Sequence, residues 1–302
     1  MKRVPRGLRT TAAVVVVLLC FVYLGRNLWQ GMQQVKWSEL DFRPLPLVLS
    51  ALLFALATLI GGLCWSLLLD GLGQRQPWRR NVKVHLQANV AKYLPGYAWQ
   101  ILGKAYLCRQ QGLPMGPVGL GIGLEFAAVI VTGVWVALVT VPNRWLEAWG
   151  LGGLAALRWP VVLLLALSLA ALPQVLRVVI NRLTMVRQRA GSITISARPL
   201  WWMLLWMILA WVMLGGALYL LIVSLHPLGM IEWPGVTFSW AASAIISLVV
   251  VFVPMGIGVK ESALAFLLSS SLPGALATVI AILARVLTML GEAIGFLVGQ
   301  KL

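Results

Sequence analysis

Long apolar runs separated by short basic clusters set the pattern of this chain. A helix needs about 20 apolar residues to cross a hydrocarbon layer. Six stretches qualify: 10–28, 45–68, 117–141, 160–176, 200–224 and 274–298. Backbone polar groups in lipid must bond within their own segment, so each stretch is predicted to be a helix. Two more apolar stretches are interrupted. Residues 84–103 break at Lys92-Tyr93-Leu94-Pro95-Gly96, and 237–272 break at Pro254-Met255-Gly256-Ile257-Gly258. Proline removes a donor and clashes with the preceding turn, and its neighbour is pushed out of the helical region. Glycine opens backbone geometry closed to other residues. Such backbone persists at membrane depth only where protein or a water-filled cavity covers it.

The basic clusters orient the spans, because Lys and Arg accumulate on the cytoplasmic side. Lys2, Arg3, Arg6 and Arg9 place the N-terminus inside, and Arg75, Arg79, Arg80 and Lys83 place the loop after the second span inside. The stretch 177–198 carries five arginines and no acid, so it is also inside. Working back from it makes Lys104 and Arg109 cytoplasmic, so 84–103 begins and ends on one side and dips into the membrane. If 237–272 also dips, from outside, each half holds three crossings and one broken hairpin. The expected fold is an all-α polytopic domain over 1–302, with inverted half-repeats at 1–141 and 142–302. The alternative lets both broken segments cross, giving eight spans. Either way the C-terminus is cytoplasmic, and the expected location is the plasma (inner) membrane.

Composition narrows the class further. Of 302 residues, 61% are hydrophobic and 11% charged, against about a quarter charged in ordinary soluble domains. The net charge of +16 fits basic loops meeting anionic headgroups rather than nucleic acid. The first span lacks a small-x-small cleavage site and reads as an uncleaved anchor. Cys20, Cys64 and Cys108 have no paired spacing. His85 and His226 stand apart with no cysteine cluster, so no metal and no other cofactor is expected. The tryptophans, Trp145, Trp149, Trp159, Trp201 and Trp202 among them, read as an interfacial belt.

Seven charges remain inside apolar segments: Arg26, Lys92, Lys260, Arg285, Glu125, Glu261 and Glu292. Arg26 can snorkel from a span end. Each of the others costs about 2.5–3.5 kcal/mol at a helix centre on insertion scales, which requires pairing or use. Lys92 precedes the first break, while Lys260 and Glu261 follow the second. Glu125 adjoins a Gly119-x3-Gly123 stretch that suggests close packing, and Gly291, Gly295 and Gly299 suggest the same for the last helix. Arg285 and Glu292 share a helix face. One reading is a set of internal ion pairs, such as Glu125 or Glu261 with Arg285. The other is a headgroup site at the breaks, where freed helix ends favour anions.

The blocks Asn89-x2-Lys92-Tyr93-Leu94-Pro95-Gly96-x2-Trp99-x3-Gly103-Lys104 and Pro254-x-Gly256-x-Gly258-x2-Glu261, with Arg285 and Glu292 downstream, resemble the flippase-like family of the lysylphosphatidylglycerol synthase transmembrane region. The resemblance covers roughly 10–298. Lys104 stands where the pattern leads one to expect arginine; it keeps the charge but loses the bidentate fork. The resemblance implies a lipid translocase or a partner of lipid-modifying enzymes. Full synthases add a soluble aminoacyl-transferase domain, and the chain ending at Leu302 is expected to lack it.

Three functions follow as expectations. The leading one is a flippase for an anionic or polar-headed lipid. Asn89, Lys92, Tyr93, Pro95, Gly96, Trp99, Lys104, Pro254, Gly256, Gly258 and Lys260 would hold the headgroup. Glu125, Glu261, Arg285 and Glu292 would gate it or relay protons. The second is a scaffold that recruits lipid- or glycan-synthesis enzymes. The third, a lipid-modifying enzyme, lacks a clustered nucleophile, base or acidic pair.

Overall fold

A computed structural model describes residues 42–93, 99–186, 195–250 and 258–302, with Val22, Arg26 and Trp29 as isolated positions. The predicted span at 10–28 falls almost wholly outside these residues. Ten α-helices are described: α1 (Pro44–Gly71), α2 (Trp78–Val90), α3 (Trp99–Gln110), α4 (Met115–Thr140), α5 (Asn143–Ala148), α6 (Gly152–Val186), α7 (Ala197–Val223), α8 (Trp233–Val249), α9 (Val259–Leu268) and α10 (Gly274–Lys301). Single 3-10 turns occupy Ala91–Tyr93 and Met230–Glu232, and there is no strand among the described residues. Five helices are long and apolar enough to cross a membrane: α1, α4, α7, α10 and the Gly152–Val179 part of α6. The chain is therefore an all-helical, multi-pass membrane protein.

Four described spans match the predicted ones to within a few residues, and α6 overruns its predicted bounds, 160–176, at both ends, starting at Gly152. Helix α6 does not stop near residue 176 but runs to Val186, carrying Arg177 and Arg182 in helical backbone. Arginine is a good helix former, so a basic stretch leaving the apolar layer has no reason to unwind there.

Helix α1 is the centre of the bundle, lying antiparallel along α7 and also touching α2, α4 and α10. The Arg43 N–H donates to the Ser224 carbonyl at one end (2.9 Å) and the Ser196 N–H donates to the Gly71 carbonyl at the other (2.9 Å). Between them the Ser50 hydroxyl donates to the Ala217 carbonyl at 2.7 Å. One apolar core gathers Phe54, Leu218, Trp240, Leu264 and Ile280. A second gathers Trp65, Leu68, Val118 and Met203.

Small residues decide where helices touch. A Cβ on Gly291 would stand 3.0 Å from the Ala55 backbone nitrogen, and one on Gly299 would stand 3.2 Å from Leu86. The predicted close face of α10 is thus real. The expectation for Gly119 and Gly123 fails, because a Cβ at either meets nothing within 4 Å. The close contact of α4 is made instead by Gly121, against Trp65 and Leu72, one helix face away. Trp145, just past the end of α4, is buried against protein, with its ring 6.0 Å from that of Phe238.

The two interrupted segments form pairs of short helices. At 1.5 Å per residue, α2 and α3 are each under about 20 Å long, and α9 is about 15 Å. None can cross a hydrocarbon core of about 30 Å alone. The first pair closes at its outer ends, where the Gln76 side-chain amide donates to the Gln111 carbonyl at 3.2 Å. The second closes likewise, with the Ser271 hydroxyl donating to Glu232 at 2.8 Å and Arg144 paired to the same carboxylate. Partial burial opposes ionisation of Glu232, but the bonds from Arg144 and Ser271 and the Arg144 charge outweigh it and hold the carboxyl below its usual range.

Close contact with backbone cannot relax as a flexible side chain can. Gly291→Ala should therefore destabilise the purified protein by about 1–3 kcal/mol, read as a lowered thermal midpoint in detergent. Gly123→Ala should leave the midpoint unchanged or raise it. Equal effects of the two substitutions would refute this packing.

Candidate functional site

A cavity of about 370 Å³ lies between the two broken pairs. Four spans contribute to it, each from its middle. These positions are Phe54, Ala57, Thr58 and Gly61 of α1, Phe126 and Val129 of α4, Trp211 and Leu214 of α7, and Arg285, Thr288 and Glu292 of α10. The cavity therefore sits at the mid-depth of the bundle. Asn89, Lys92, Tyr93 and Gln100 close it from the first broken pair, and Trp240, Ser247 and Lys260 from the second.

Ion pairs cross from one element to another around this space. Lys92, on the 3-10 turn that ends α2, pairs with Glu292, whose other oxygen accepts the Tyr93 hydroxyl at 2.6 Å. Arg285 Nη1 stands 3.6 Å from Glu261 Oε1. The second Glu261 oxygen accepts the Gly258 N–H at 2.8 Å. Gly258 has φ 81°, so a side chain there would be strained. The freed N–H at the second break is thus occupied by the chain's own carboxylate rather than left for a guest. Across the first break, the Gln100 side-chain amide donates to the Asn89 side-chain oxygen Oδ1 at 3.0 Å. Lys260 differs from the other cations. Its ammonium lies 3.7 Å from the centroid of the Trp240 ring, and among the described residues no carboxylate comes within ion-pairing distance of it.

A second polar group adjoins the first. Lys104 donates to both oxygens of Glu125, at 2.8 and 2.6 Å. His85 Nδ1 lies 3.1 Å from the Lys104 ammonium and 3.3 Å from Glu125. The Lys104 ammonium also stands 4.2 Å from the Trp65 ring centroid. This group borders a smaller cavity of about 220 Å³ that shares His85, Gln100 and Phe126 with the larger one.

Of the residues predicted to line a site, Asn89, Lys92, Tyr93, Lys260, Arg285 and Glu292 do so. Glu261 and Gly258 support it from behind. Lys104 and Glu125 belong to the adjoining group and line the smaller cavity. The cytoplasmic placement of Lys104 is wrong: it is 3% exposed and bonded to the middle of α4. Loop charge counting could not see that α3 begins at Trp99, which carries Lys104 inward. Trp99 is half exposed and does not line the cavity. Pro95, Gly96, Pro254 and Gly256 lie outside the described residues. Among internal pairs, Glu261 with Arg285 is as expected, whereas Glu125 takes Lys104. His85, considered in the sequence only as a metal ligand, was not placed in the site; the available sign was its position seven residues, about two helical turns, before Lys92.

Removing one member of a buried pair strands a charge, which costs about 3–5 kcal/mol, while an apolar pair of similar volume is tolerated. Glu125→Ala should therefore lower the thermal midpoint strongly, and Lys104→Met combined with Glu125→Leu should recover most of the loss. A double variant as unstable as the single one would contradict the pairing.

No curated protein matches the chain in sequence. One protein-family comparison does match, and it spans residues 10–295, taking in both broken pairs and every residue of the site. The chain belongs to the family described as the lysylphosphatidylglycerol synthase TM region.

Proposed function

We propose that this protein moves an anionic or polar-headed lipid between the leaflets of the inner membrane, with both termini in the cytoplasm, and that it carries out no chemical conversion. The observation that carries the reading is a charged cavity at the middle of four spans. Ionisable groups at that depth are costly and mark pathways for polar cargo. Membership of the flippase-like family supports the same reading.

On this reading both broken pairs are re-entrant, and the two halves, 1–141 and 142–302, are inverted copies. Support comes from the closed outer ends: Gln76 to Gln111 for the first pair and Glu232 to Ser271 for the second. The inner ends of both pairs meet the cavity. Discontinuous helices meeting at the midplane suit alternating access. The headgroup would enter from one leaflet beside Lys92, lodge at mid-depth, and leave as the opposite pair shifts. Breaking and remaking the Lys92–Glu292 and Arg285–Glu261 pairs would let the cavity open to one side at a time. Energy would come from an ion, potential or lipid gradient.

Two measurements bear on this. Single cysteines at Arg80 and Gln111 should label from the same side of the membrane, and cysteines at Glu232 and Ser271 from the other; labelling of 80 and 111 from opposite sides would remove the re-entrant reading. Vesicles containing the purified protein should exchange fluorescent phospholipid between leaflets faster than protein-free vesicles, and Lys92→Ala should abolish the gain. Failure of exchange together with co-purification of a lipid or glycan synthase would replace the transporter by a scaffold.

A further inference from the structure

The charges around the larger cavity do not balance. Its positive groups are Lys92, Arg285 and Lys260, and the carboxylates that meet them are Glu292 and Glu261. Each carboxylate holds one cation, and Lys260 is left with the face of Trp240. The adjoining group brings no correction, because Lys104 and Glu125 neutralise each other and His85 Nδ1 lies beside both. An aromatic face offsets only a small part of a buried ammonium's lost hydration. Among the described residues the cavity therefore has one positive group more than it has carboxylates, at mid-depth, where charge is most costly.

Resting on the lipid-transport reading above, we propose that the cavity takes a headgroup of net charge minus one, a phosphodiester, and that Lys260 is the residue that binds it. One negative charge brings the cavity to neutrality. A phosphomonoester that ionises twice would leave an excess negative charge, and a zwitterionic headgroup would leave the Lys260 charge where it was. The two free oxygens of a phosphodiester can both accept from an ammonium group, which has three donors. A volume of about 370 Å³ is at the small end of ligand cavities and suits a headgroup whose acyl chains stay in the bilayer. Lys92 and Arg285 are poorer candidates, since a guest bound there would have to displace a carboxylate.

Lys260 also offers a clean test, because no carboxylate depends on it. Lys260→Gln should fold as well as the parent, whereas Lys92→Ala and Arg285→Ala each strand an acid. The full chain in micelles is offered equal amounts of phosphatidylglycerol, phosphatidic acid and phosphatidylethanolamine with matched acyl chains, and bound lipid is counted by native mass spectrometry. Phosphatidylglycerol should be retained in preference by about tenfold, the scale of one charge-assisted hydrogen bond. Lys260→Gln should lose that preference and Lys260→Arg should keep it. Equal retention of the three lipids, or a preference unchanged in Lys260→Gln, would overturn the assignment. Deacylated glycerophosphoglycerol is the further arm. If it binds in a Lys260-dependent way while no lipid is retained, the charge assignment stands and the lipid reading falls. If nothing binds, both fall.

Discussion

An ionised side chain inside hydrocarbon has no water to lean on, so it must find its compensation within the protein. That constraint governs the middle of this molecule. Lys92 and Glu292, Arg285 and Glu261, and Lys104 and Glu125 each join two different elements. None of these pairs lies within one helix: Lys92–Glu292 ties segments 200 residues apart, and the other two tie consecutive helices to each other. The apolar spans supply the bulk of the fold, but the ties decide which faces meet at mid-depth.

The helix breaks make those ties possible. A continuous helix through 84–110 would carry its charges past the midplane on a rigid rod. Stopping α2 at a 3-10 turn instead leaves Lys92 and Tyr93 opposite Glu292. The second break uses a different device. Gly258 takes a positive φ, and Glu261 folds back onto its N–H while still facing Arg285. One carboxylate thus satisfies freed backbone and a buried guanidinium together. The charges of the cavity come from two sources: Lys92 and Lys260 from beside the breaks, and Arg285 and Glu292 from the regular helix of α10.

A cavity held by exchangeable ion pairs differs from one held by apolar packing. Each pair can be broken without stranding a charge only if another charge replaces the lost partner. Glycines on α10 let the helix bearing Arg285 and Glu292 press closely against α1 and α2.

Hydropathy alone determined that the chain crosses a membrane several times and where it does so. The interruptions at Lys92–Gly96 and Pro254–Gly258 were legible as well, because proline and glycine act on the backbone next to them whatever the surroundings. The close face of α10 could be read from a four-residue glycine repeat, which is a local property of one helix. The partners were not legible. Glu125 was free to meet Arg285 as far as spacing goes, and Lys104 counted as a loop charge. Only the packed bundle turns Lys104 inward onto Glu125 with His85 beside it, and sets Lys260 against the face of Trp240. Pairing depends on distances between helices, and no periodicity within a helix encodes them.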